Sequence, residues 1–166
     1  MTKSMDHILM SCEYPMRLKI WEKAKELWPH SEDTWPRISP GTIIRCNTFN
    51  IETLQKRKDR NGQESLIKVR DPGAMRLLKI IISEAVYLTW TMWCERTIQE
   101  RERTEREVDS VWLKTINWRL AKDRNIATKI SQKENYINMV RETWDRALYK
   151  RHHDLPEDWI YWSVVF

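Results

Sequence analysis

The sequence predicts an all-α fold, an irregular helical bundle around one central apolar helix at about 72–102. Three observations carry this. The stretch from Arg76 to Ile98 is the densest apolar run of the chain and is hydrophobic on nearly every face of a helix. Two later stripes follow at helical spacing: Val108, Val111, Trp112, Ile116 and Leu120, then Ile126, Ile130, Ile137, Val140, Trp144 and Leu148. Only three glycines occur in 166 residues, so tight turns are few, while Leu, Ile, Lys, Arg and Glu supply good helix formers. The other helices are expected at about 15–28, 105–121 and 125–149.

Taken in order, Pro15 suits a first helical position, and Ile20, Trp21, Ala24, Leu27 and Trp28 then form one apolar face that Pro29 ends. Residues 29–71 are punctuated by prolines at 29, 36 and 40, with Ser39-Pro40 capping one short helix through Arg45. Asn61-Gly62 permits a hairpin between Phe49–Leu54 and Leu66–Val69, but each apolar run is short, and the segment is assigned as loop. Asp71-Pro72 is a strong helix start. A single helix from 72 to 121 would be about 75 Å long at 1.5 Å per residue, too long for a domain of this size. A break is therefore expected near Arg103, with Thr104 and Glu107 forming a capping box for the next helix. Glu84, inside the apolar run, calls for a structural ion pair. After Leu155-Pro156, Trp159 is expected to pack back on the core.

Composition narrows the function classes. The formal net charge of +5 permits a polyanionic partner without requiring one. Three cysteines at wide spacings give no disulfide framework, which points to a reducing intracellular compartment. Glu84 interrupts a run shorter than the roughly 20 apolar residues of a membrane span, so no membrane segment or signal peptide is expected. Enzyme chemistry ranks lowest, because no phosphate-binding Gly loop, activated nucleophile or acid pair is recognisable.

Three sets of residues bear on binding. His7 and Cys12 are a borderline and a soft donor at a spacing that closes half of a tetrahedral zinc site; the plainer reading is a partly buried histidine and a core thiol. Lys56, Arg57, Lys58 and Arg60 form a basic run that either contacts phosphates or tips a solvated loop. Lys114, Arg119, Lys122, Arg124, Lys129 and Lys133, against the single acid Asp123, make the stronger nucleic-acid candidate, set against an ordinary basic helix surface. Adjacent His152 and His153 point in different directions and make poor joint ligands.

Asp6-His7-Ile8-Leu9, two residues, Cys12, a Pro-containing turn and Ile20-Trp21 together resemble the second half of the reverse-transcriptase zinc-binding domain of non-long-terminal-repeat retrotransposons. In that family a Cys pair precedes an acidic residue and His-Ile-Leu, and a last Cys and a Trp-bearing helix follow. His7 and Cys12 match the last two ligands and Trp21 the helix tryptophan, over about residues 5–28. The family's first two cysteines would lie before Met1. The second half is similar to the region behind that domain in fungal retroelement proteins carrying reverse transcriptase and ribonuclease H. The residues concerned are Ser83-Glu84-Ala85, Cys94-Glu95-Arg96, Trp112 to Asn117 with Arg119-Leu120, and Leu155-Pro156 with Trp159.

The resemblance implies a truncated zinc-binding remnant plus amphipathic helix at 1–28, a loop-rich insertion at 29–71, and a helical core with C-terminal tail at 72–166. It implies a non-catalytic tail of the polyprotein that assists RNA or DNA binding or contacts other parts of the parent polyprotein. No cofactor is expected, and zinc only if another chain or upstream sequence supplies ligands. The polymerase's Tyr-x-Asp-Asp loop is absent. The alternatives are a helical protein–protein interaction module and a functionless element remnant.

Overall fold

The computed structural model describes residues 4–12, 14–58, 62–129 and 133–166. Helices α1 (Pro15–Leu27), α2 (Pro40–Ile44), α3 (Pro72–Ile98), α4 (Glu105–Lys129) and α5 (Lys133–Tyr149) dominate it, with a single hairpin of β1 (Glu52–Lys58) and β2 (Glu64–Arg70). The expected mostly helical bundle is present. Helices α1 and α5 each pack against both α3 and α4, while α3 and α4 touch each other less, so the four long helices alternate around a shared core.

Local chemistry sets most of the helix starts. Pro15 and Pro72 occupy the first turns of α1 and α3. Asp71 Oδ1 accepts the Ala74 N–H at 2.8 Å, and Ser39 Oγ accepts that of Thr42 at 3.1 Å. The Thr104 and Glu107 box closes in both directions: Thr104 N–H donates to Glu107 Oε2 at 2.7 Å, and Glu107 N–H to Thr104 Oγ1 at 3.3 Å. Helix α3 ends four residues before the expected 102, because the chain reverses through Glu100, whose φ is 54°. Arg103 then clasps Glu95 with two hydrogen bonds of 2.6 Å, which pins the turn.

Helix α3 is long and apolar enough to cross a membrane by length and composition. In this fold eleven of its residues are buried, among them Leu77, Leu78, Ile81 and Ile82. Its acid Glu84 pairs with Arg119 of α4, the structural ion pair the sequence called for. Near its start, Gly73 lets α3 meet α5 closely: a Cβ there would lie 2.2 Å from the carbonyl oxygen of Glu142.

Two expectations fail. The segment around Asn61-Gly62, assigned as loop, contains a hairpin instead, since β1 and β2 pair antiparallel in register from Glu52 opposite Arg70 to Lys58 opposite Glu64. The strands are almost wholly exposed, so they lack the apolar alternation that marks a half-buried strand. What anchors them is their base, where Ile51 is buried and its carbonyl accepts the Asp71 N–H at 2.8 Å. The turn at 59–61 lies outside the described residues.

The helix break expected between 121 and 125 is also absent, and α4 runs on to Lys129. Its buried stripe of Val108, Trp112, Ile116 and Leu120 continues through Asp123 to Ala127, and the acid hides the period. Asp123 is buried because Arg76 of α3 grips it with two bonds, of 2.8 and 2.7 Å, and Trp144 Nε1 of α5 donates to it at 2.7 Å. Arg76 also donates to Thr143 Oγ1 at 3.2 Å.

The tail closes the bundle. Trp159 is buried, as expected, and its Nε1 donates to Asp145 Oδ1 at 2.6 Å. Phe166 N–H donates to Asn117 Oδ1 at 2.7 Å. At the same C-terminal end of α5, Arg146 donates to His30 Nδ1 at 2.9 Å, while Lys150 Nζ, one residue past the helix, donates to the carbonyls of Glu26 and Trp28 at the end of α1.

Asp123→Ala removes one partner of a buried pair and leaves a guanidinium and an indole N–H unsatisfied, so a loss of about 3–5 kcal/mol is expected in urea unfolding. The exposed control Tyr87→Ala should stay within about 0.5 kcal/mol, and equal effects would remove Asp123 from its central role. Burial and then the charge of Arg146 hold the His30 imidazole below its usual value of 6.5. The unfolded chain therefore takes up that proton first, and stability is full above about pH 6.5 and falls as pH drops through the depressed folded value. Wild type should lose more stability than His30→Gln between about pH 7 and pH 5, and parallel losses would contradict this.

Candidate nucleic-acid interface

Helix α4 carries five of the six basic residues predicted between 114 and 133, and its turn of about 100° per residue sorts them by face. Lys114, Lys122 and Lys129 are exposed. Taking Lys114 as zero, Lys122 and Lys129 stand at roughly 80° and 60°, so the three share one side of the helix. The axial distance from the first to the last is about 22 Å at 1.5 Å per residue. Between 110 and 129 the single acid is Asp123, which is buried on the opposite side against Arg76. Among the described residues, none of the three lysines is in an ion pair.

The two arginines of the same helix are engaged elsewhere. Arg119 turns toward α3 and pairs with Glu84. Arg124 Nε donates to the carbonyl of Ile160 at 3.0 Å and ties down the tail. Burial lowers the Arg124 pKa from its ordinary value, but a guanidinium starts so high that it keeps its charge. Both residues hold the bundle together and leave the basic face to lysine. Lys133 begins α5, and its side chain lies outside the described residues.

Trp118 joins the three lysines. It stands between Lys114 and Lys122 at intervals of four residues, is 59% exposed, and has the Lys122 Nζ 5.0 Å from its ring centroid. Beside it lies a surface hollow of about 490 Å³ whose walls include Ala121, Asn125 and Ile126. Counting charges along the sequence misses this residue. The spacing Lys-x-x-x-Trp-x-x-x-Lys, read at helical period, is the signal that finds it.

The second basic run is divided by the hairpin. Lys56 and Lys58 alternate with Arg57 across the two faces of β1. Glu64 of β2 lies 3.7 Å from Lys56 and 3.6 Å from Lys58, so part of the charge is compensated locally. Arg60 is outside the described residues. The described part of the run therefore does not gather on one exposed side as the α4 lysines do.

His7 and Cys12 stand at the two ends of a single π-helical turn, His7–Ser11, whose Ile8 and Leu9 are buried. Cys12 is buried and His7 half-buried. Trp21 Nε1 donates to the Leu9 carbonyl at 3.4 Å, which docks the turn on α1. Among the described residues no group of three or more His, Cys, Asp or Glu side chains is placed to hold a metal ion. Two donors fill half of a structural zinc site. Comparison with family models, curated proteins and solved structures gives no match.

The division of labour on α4 has a measurable consequence. Arg119→Ala leaves the mostly buried Glu84 carboxylate without its partner and should lower the melting temperature by several degrees. Lys122→Ala, on the exposed face, should leave it within about 1–2 degrees. Equal shifts would mean that the arginine and the lysine are not divided in this way.

Proposed function

We propose that this chain is a non-catalytic helical module that binds nucleic acid through the outer face of α4. The observation that carries the reading is the convergence of Lys114, Lys122 and Lys129 on one exposed side, with the only acid of residues 110–129 turned inward. Such a face attracts a polyanion whose charges recur along a line, and it releases the counterions condensed on it. The likeness of Asp6-His7-Ile8-Leu9 with Cys12 and Trp21 to the retrotransposon zinc-binding domain supplies a setting. In that setting the module is the C-terminal part of a reverse transcriptase/ribonuclease H polyprotein, holding template near the catalytic domains.

A second reading, a helical protein-interaction module, draws on a different surface. Ile43 of α2 and Ile82, Val86, Tyr87 and Trp90 of α3 border an apolar hollow of about 370 Å³, and Tyr87 is exposed. Trp93 stacks on Trp90 with centroids 5.3 Å apart, which stiffens that edge.

A salt titration separates the two. Three lysine–phosphate contacts to a single strand give a slope of about −2 in the logarithm of the binding constant against that of salt concentration. The triple substitution of Lys114, Lys122 and Lys129 by Ala should bring the slope near zero while leaving helical content unchanged. Affinity that stays flat as salt rises, or no binding at low salt, would count against nucleic acid and favour the protein partner.

A further inference from the structure

We infer that the α4 face takes single-stranded nucleic acid, with Trp118 as a platform on which one base stacks while the neighbouring lysines hold phosphates. This rests on the nucleic-acid reading above and adds the class of strand.

The core tryptophans Trp112, Trp144 and Trp159 are 2%, 0% and 1% exposed, and the tail's Trp162, at 57%, is the other strongly exposed one besides Trp118. Helix α4 contains both kinds. Trp112 points into the core, and six residues later Trp118 stands 59% exposed. An indole left in water forfeits its burial, so its place among three lysines calls for an occupant with an aromatic face and negative charge.

A nucleotide has both. Lys122 Nζ lies over one face of the Trp118 ring, 5.0 Å from its centroid, so a base stacks on the opposite face or displaces the ammonium, whose flexible stem then lets it meet that nucleotide's phosphate. The hollow next to the ring gives the base room: Ala121 is small, Ile126 offers an apolar wall, and Asn125 carries both a donor and an acceptor for a base edge.

A duplex fits less well. Its bases are already stacked on each other, so reaching an indole face requires opening a step, which costs free energy that an unpaired strand does not spend. Entry of a helix into a major groove about 12 Å wide is a further demand. Helix α4 is packed against α1 and α5, and the tail is bonded to its Asn117 and Arg124. The face therefore suits an exposed base better than a groove.

The test measures binding of the full chain, at low salt, to three labelled probes: a dT strand, an abasic strand of the same length, and a duplex. Wild type should bind the dT strand about 5- to 150-fold more tightly than the abasic strand, the range that one stacked base contributes. Trp118→Ala and Trp118→Leu should close that gap without changing the melting temperature, and Trp118→Phe should keep most of it. A Leu variant that binds dT as wild type does, or equal binding of all three probes by wild type, would overturn the stacking platform and leave the lysine face standing. Failure of every probe to bind at low salt would instead remove the nucleic-acid reading itself, and the platform with it.

Discussion

The guanidinium of Arg76 holds both oxygens of Asp123, and the indole N–H of Trp144 donates to the same carboxylate, so three helices meet at one acid. A carboxylate removed from water is costly unless its lone pairs are filled, and here α3 and α5 both supply donors. The arrangement fixes more than energy. Apolar stripes slide and rotate against one another at small cost, whereas a bidentate pair tolerates neither. The contact of Asp123 with Arg76 therefore sets how far α4 is turned about its own axis. That rotation decides which α4 residues face outward, and the lysine face follows from it.

The same physics sorts the cations. Arginine is planar, forked and weakly hydrated, so it can enter the packed region and satisfy a carboxylate or a backbone carbonyl. Arg76, Arg103, Arg119 and Arg124 all do so. Lysine is a strongly hydrated point charge and stays in water when no acid meets it. Lys114, Lys122 and Lys129 remain outside for this reason. Where lysines do meet an acid, as Lys19 meets Glu105 at 2.6 Å and Lys23 meets Asp109 at 3.6 Å, they join α1 to α4 at the surface. Arginines thus serve mainly the fold, while the α4 lysines stay on its surface.

Legibility in the sequence follows the range of the interaction. The caps at Ser39, Asp71 and Thr104 join residues three apart, and each was readable from its own few letters. Glu84 was readable as an acid that needed a cation, but its partner Arg119 is 35 residues away and was not. The hairpin escaped because its strands pair through backbone and bury almost nothing, so no pattern of side chains records it. The continuation of α4 escaped because Asp123 stands where the period calls for an apolar residue. Trp118 escaped because the basic run was weighed by charge alone, and an aromatic residue off the apolar stripe of its helix was not set beside it.

By itself the sequence determined that the chain is helical, where most helices begin, and that a long apolar segment at Arg76 to Ile98 lies at the heart of the bundle. Those facts depend on periodicity, capping and composition, which act within a few residues. Tertiary structure decided which cations are spent on the fold and which stay exposed on its surface. It also decided that Trp118, unlike Trp112 on the same helix, faces solvent. Both decisions turn on the angle at which α4 is held. That angle is set by Arg76, which lies 47 residues from Asp123, a distance at which no local pattern carries information.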